Sequence, residues 1–140
     1  MTYLHSHFGV YGLITNDKKK VLLIKKARGP YTGMYDLPGG SPEPKELLEE
    51  ILKREINEET GCIVTKCKQL GAFSTLFEYK KEAEDGLLRH LGVIYLTEIE
   101  GQPRTDADGE DSNGCVWLEL DQLNEQNSTP FVLTAIEYIK

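Results

Sequence analysis

Apolar positions along the chain fall into short runs separated by polar, glycine-rich or proline-rich breaks. Residues 8–14 are rich in β-branched and aromatic side chains, Asn16 and Asp17 follow as a turn, and residues 21–24 form a second apolar run. Together these predict a β-hairpin. Residues 27–33 read as a loop by their Gly and Pro content, and residues 34–37 as a short strand leading into Pro38, Gly39 and Gly40. A helix is expected from about Pro44, with Ser41 and Pro42 nearby as start signals and Gly61 as the stop. Residues 63–79 read as extended with a break near Gly71, residues 87–98 as another strand, residues 105–114 as an acidic loop, and residues 115–118 as a short strand carrying Trp117. Ser128, Thr129 and Pro130 open a final helix to about Tyr138, a cap followed by proline in the first turn. Strands, a central helix, more strands and a terminal helix predict an α+β or mixed-sheet sandwich, as one domain over residues 1–140.

The central helix carries carboxylates on the wrong side. At about 100° per residue, Leu48, Ile51 and Leu52 define an apolar stripe. Glu55 and Glu59 fall near the centre of that stripe and Glu58 on its flank. A carboxylate facing a core is costly unless a cation or donor meets it, and three at this spacing repel one another. A bound divalent metal explains all three. Oxygen-only ligands, with no His or Cys among them, select a hard cation, Mg²⁺ or Mn²⁺. Arg54 and Glu46 lie on the polar side with Glu50 between them, a spacing that also allows an ordinary surface ion pair.

Charge and cysteine usage narrow the partners. A net charge of −7 argues against non-specific binding to nucleic acid or to an anionic membrane. It leaves an anionic substrate open, because metal ions invert the local field of a carboxylate site. Cys62, Cys67 and Cys115 are an odd set without a Cys-x-x-Cys pair, which reads as reduced thiols in a cytoplasmic protein. The first residues have no basic start or cleavage site, and no apolar run is long enough to span a membrane.

The run from Gly40 through Glu46, Arg54, Glu55, Ile56, Glu58, Glu59 and Gly61 resembles the Nudix hydrolase signature. Its final aliphatic is replaced by Cys62, a small hydrophobe, with Ile63 directly after. The resemblance implies an α/β/α sandwich around a mixed sheet. It implies metal ligation by the Gly40 carbonyl, Glu55, Glu58 and Glu59, with one glutamate able to act as general base. Arg54 and Glu46 would brace the catalytic loop and orient a glutamate. A further acid often comes from a late loop in this family, where Asp111 is the first candidate and Glu110 the second, although an acidic loop is usually just solvated.

For the substrate, Lys26 and Arg28 could hold a diphosphate beside Gly39, with Lys25 equally suited to a solvated strand end. Tyr31, Tyr35, Phe73 and Tyr79 could stack on a base, core packing being the default for Phe73. Tyr79 falls where family members acting on dinucleoside polyphosphates often place a tyrosine. The proline typical of ADP-ribose members is missing from the corresponding stretch. His5, His7 and His90 have no metal spacing and read as structural or exposed.

The resemblance thus implies a pyrophosphohydrolase that splits a P–O–P bond in a nucleoside diphosphate linked to another moiety; members of the family are often dimers, which leaves a homodimer open. The alternative is a nucleotide-sensing or interaction module on the same fold, which a degraded signature would favour. Isomerisation of an isoprenoid diphosphate is a third chemistry of the fold, and no residue here asks for it.

Overall fold

The computed structural model describes residues 2–106 and 112–140. The chain runs β1 (Tyr3–Ile14), β2 (Val21–Lys26), β3 (Tyr35–Asp36), β4 (Gly39–Gly40), α1 (Leu48–Thr60), β5 (Ile63–Lys81), β6 (Glu84–Glu100), β7 (Ser112–Leu118), a 3₁₀ turn (Leu120–Gln122) and α2 (Pro130–Ile136). One sheet has the order β4-β1-β6-β5 and the other β3-β2-β7. The long β1–β6 pair is parallel and the remaining pairs are antiparallel, so the sheet system is mixed. Helix α1 packs on one side with Val10, Ile14, Leu22, Ile24 and Val93. Helix α2 packs on the other with Tyr11, Leu13, Leu23, Leu37 and Ile94. Covering both faces is why the middles of β1 and β2 are continuous apolar runs instead of alternating ones. The architecture is the expected α+β sandwich, with helices outside and mixed sheet between.

The expected hairpin of β1 and β2 is not a paired ladder. The two strands share one bridge, Thr15 with Val21, and diverge from there. Both edges of β1 are already taken, by β6 along its whole length and by β4 at Val10 and Tyr11. Strand β2 instead pairs with β3 and β7. The split between the two sheets opens toward the N-terminal half of β1.

Helix α1 begins at Leu48, later than Pro44. Lys45 has φ 71°, a left-handed conformation that cannot open a helix. The Glu50 carboxylate accepts the Leu47 N–H at 2.8 Å, which caps the first turn. Gly61, at φ 79°, ends the helix as expected and donates its N–H to Asn57. Strand β5 bends at a bulge between Gln69 and Gly71, where the break was expected. Residues 80–86 form the tight end of the β5–β6 hairpin, with Glu82 at φ 57° and Lys80 paired to Asp85. At α2 the Thr129 hydroxyl accepts the Val132 N–H, and the helix stops at Ile136, short of Tyr138. No helix among the described residues is long and apolar enough to cross a membrane.

Candidate active site

The glycine loop and the C-terminal half of α1 meet beside β1. Gly39 pairs with Tyr11 and Gly40 with Val10. Gly39 has φ 148°, and a side chain there would run into the Val10 carbonyl and lie 2.7 Å from Tyr11 Cα. Only glycine fits both demands. Its N–H donates to Glu59 Oε1 at 2.7 Å. A Cβ on Gly40 would sit 2.6 Å from the Glu55 carboxylate. Helix α1 therefore lays two carboxylates against two glycines.

Burial follows the stripe read from the sequence. Glu59 is 5% exposed. Burial holds its carboxyl well above the usual range, reinforced by Glu55 and Asp36 and opposed by the Gly39 N–H and Lys26. The Glu55 side chain is half-buried, and Glu58 is 54% exposed on the flank.

Arg54 organises the outer side. Its Nε and Nη2 grip Glu46 at 2.6 and 2.9 Å, a two-pronged pair. Its Nη1 reaches Glu55 at 2.8 Å and Glu58 at 3.2 Å, and Nη2 also donates to the Ser41 carbonyl at 2.8 Å. The hydrogen bond from Arg54 pulls the Glu46 carboxyl below its ordinary pKa, and Glu46 also accepts the Glu43 N–H. One guanidinium thus ties the loop before α1 to the glutamates on it.

A cavity of about 450 Å³ lies in the split between the sheets. Gly40, Ser41 and Glu55 line it at the glycine loop, and Lys26 and Arg28 bring positive charge from the end of β2. His5 and His7 of β1 and Leu88 and His90 of β6 complete it. The parallel register places His5 beside Leu88 and His7 beside His90. Asp36, 3% exposed, also faces the cavity and accepts from the Leu37 N–H and the Thr129 hydroxyl. Burial pushes its pKa up to about 6, against Lys26 and those two hydrogen bonds.

His90 is buried with both ring nitrogens engaged. Nε2 lies 2.7 Å from the Tyr11 hydroxyl and Nδ1 lies 2.9 Å from the Tyr31 hydroxyl. Its ring stacks on Phe131 at 4.1 Å and 10°. Burial, followed by the charges of His7 and Lys26, lowers its pKa to about 3, so the imidazole is neutral.

The structure brings together Gly39, Gly40, Glu55, Lys26, Arg28 and Tyr31 at one cavity, with Glu59 behind Gly39 and Arg54, Glu46 and Glu58 alongside. Tyr79 does not line that cavity; its ring covers Gly86 near the hairpin end. Phe73 packs edge-on against Tyr138, and Tyr35 packs on the core with the Lys25 amine 5.8 Å above its ring. Asp111 and Glu110 lie outside the described residues. The sequence reading passed over His5, His7, Tyr11, Asp36 and His90 as parts of a site. The alternation of His5, His7 and Tyr11 on one strand face was the available signal.

A NUDIX domain profile matches residues 5–138. An "ADP-ribose pyrophosphatase" from Methanocaldococcus jannaschii is 45% identical over 121 residues, which cover 86% of this chain and 66% of that protein. The chain thus spans just under two thirds of that relative's length. A "Nucleoside triphosphatase NudI" from Escherichia coli O1:K1 / APEC is 51% identical over 116 residues, 79% of this chain and 80% of that protein. The crystal structure of a MutT NUDIX hydrolase from Burkholderia pseudomallei superposes with a TM-score of 0.73 at 27% identity, over 97% of this chain and 99% of that one. Profile, relatives and fold agree with the glycine-and-glutamate geometry: the chain belongs to the NUDIX family of hydrolases.

Proposed function

We propose that this chain is a divalent-metal-dependent pyrophosphohydrolase that splits a P–O–P bond in a nucleoside diphosphate linked to another moiety. The observation that carries this is the Glu55 carboxylate packed so close to Gly40 that a Cβ there would come within 2.6 Å of it, beside a Glu59 whose carboxyl is held above its usual range by burial and by Glu55 and Asp36. Such a cradle suits a cation. Among the described residues no group of three His, Cys, Asp or Glu side chains already converges on one point. Two inward carboxylates suit Mg²⁺, which keeps several waters and takes one or two carboxylates plus substrate phosphates. Glu55, Glu59 and the Gly40 carbonyl are the ligands we assign, with Glu58 as a further ligand or as the base.

When bound, the ion would polarise a phosphoryl oxygen and acidify a water. Arg54 holds Glu55 and Glu58 through Nη1 while Nη2 ties them to the Ser41 carbonyl of the loop before α1. As the base, Glu58 on the exposed flank would take the proton of the attacking water. Lys26 and Arg28 offset charge developing on the phosphate oxygens. The moiety carried by the diphosphate extends toward His7, which stands four residues, about 13 Å of strand, from Tyr11.

The names of the relatives divide between ADP-ribose and nucleoside triphosphates. The deciding experiment incubates the purified protein with Mg²⁺ or Mn²⁺ and nucleoside triphosphates (oxidised ones included), ADP-ribose, nucleotide sugars, dinucleoside polyphosphates and 5′-triphosphate RNA. Metal-dependent cleavage of one class supports the proposal and names the substrate. Tight nucleotide binding without turnover would replace it with a sensing module.

A further inference from the structure

The tip of the β2–β3 hairpin crosses the split between the sheets. Pairing continues past the strand ends, from the Lys26 N–H to the Met34 carbonyl at 2.9 Å and from the Gly33 N–H to the Lys26 carbonyl at 2.8 Å. Within the tip, the Thr32 N–H and hydroxyl both donate to the Gly29 carbonyl. The tip belongs to the second sheet, yet Tyr31 reaches the first. Its hydroxyl meets His90 Nδ1 on β6, and its ring lies 4.7 Å from that of Phe77 on β5.

The receiving side is built for this contact. Gly9 and Gly92 are register partners on β1 and β6. A Cβ on Gly9 would strike the Tyr11 phenol, and one on Gly92 would come 2.8 Å from the Phe131 ring. The two glycines thus make the space in which Tyr11 and Phe131 hold the imidazole. A neutral imidazole has one donor and one acceptor nitrogen, so one tyrosine donates to it and the other accepts from it. None of these residues lies in the glutamate helix or the glycine loop.

We propose that Tyr31 and His90 form a strap that closes one wall of the cavity and sets the position of Arg28, three residues earlier in the same tip. They are positioning residues for substrate binding, remote from the bond that breaks. The strap rests on the hydrolase reading only for its kinetic readout.

Tyr31→Phe tests it, because the ring stays on Phe77 while one hydrogen bond is lost. Amide exchange at Thr32, Gly33 and Met34 should speed up, and KM should rise about two- to tenfold, the range of one hydrogen bond, with kcat within about twofold. In an Arg28→Ala background the same change should have almost no further effect on KM, since the residue it positions is gone. His90→Gln, which keeps a donor and an acceptor, should retain more affinity than His90→Leu. Unchanged exchange in Tyr31→Phe would overturn the strap, as would a KM effect of full size without Arg28. Should the wild type cleave no nucleotide, the hydrolase reading fails, and the exchange measurement still decides the strap.

Discussion

The two ends of the cavity are specified in different ways. At the glycine-loop end, Gly39, Gly40, Glu46, Arg54, Glu55, Glu58 and Glu59 lie close together in sequence, and a loop and one helix bring them together. At the other end, His7 meets His90 through a parallel register between β1 and β6, and Tyr31 arrives from a hairpin of the other sheet. The first end has a sequence signature because its geometry is helical and local. The second has none, because its neighbours are chosen by strand pairing over most of the chain. On the proposed mechanism, chemistry concentrates in the local end, and the substrate's remaining moiety would fit against the assembled one.

The largest effects are expected where that division is sharpest. Glu59→Gln and Glu58→Gln should each lower kcat by about 10²- to 10⁴-fold with the fold retained, as steady-state kinetics and circular dichroism would register. Folded variants with full turnover would remove the chemistry from this end. The two glycines separate packing from catalysis. Gly39→Ala meets backbone atoms and a φ of 148°, so it should cost about 3 kcal/mol or more, read as a fall in urea midpoint. Gly40→Ala meets only the end of the Glu55 side chain, which can swing aside. It should fold and lose turnover. Equal stability losses in both variants would contradict this reading of the loop.

Legibility divides along the same line. The stripe through Leu48, Ile51 and Leu52 places Glu55 and Glu59 inward from sequence alone, and in α1 Ile51, Leu52 and Glu59 are buried. The mixed-sheet sandwich was legible from the order of runs. The helix start was not, because Lys45 takes a left-handed conformation that no side-chain preference announces, in a loop gathered around Arg54. The β1–β2 hairpin was misread because adjacency in sequence is a weaker cue than edges already filled by β4 and β6. His90 read as structural or exposed. It is buried structure, but its two tyrosine partners make it part of the cavity wall, and only the register reveals them.

An intermediate effect is expected at Arg54. Lysine keeps the charge but cannot grip Glu46 with two parallel bonds while also reaching Glu55. Arg54→Lys should lower activity about 10- to 100-fold and raise the Mg²⁺ concentration needed for half-maximal rate, the loss typical of partners that orient metal-binding carboxylates. A variant with normal metal dependence would reduce Arg54 to a surface ion pair.

The smallest effect tests whether the far end is held by a neutral imidazole. His90 has a folded pKa of about 3 against an ordinary 6.5, so the unfolded chain binds its proton first on acidification. Stability contributed by neutral His90 is therefore complete above about pH 6.5 and drains as pH falls toward 3. Facing it are His7 of β1, Tyr11 and Tyr31, with the charge of Lys26 acting in the same sense as burial. Asp36, raised to about 6, gains stability as pH falls from 6 to about 4. Absolute melting curves mix the two, so the informative quantity is the difference between wild type and His90→Gln. Between pH 7 and pH 5 that difference should move about 2 kcal/mol in favour of the variant, measured by urea unfolding at each pH. A pH-independent difference would mean that His90 takes up its proton in the folded protein over the same pH range as in the unfolded chain. A doubly protonated ring could only donate, and the two tyrosines could no longer sit on opposite sides of a one-donor, one-acceptor bridge.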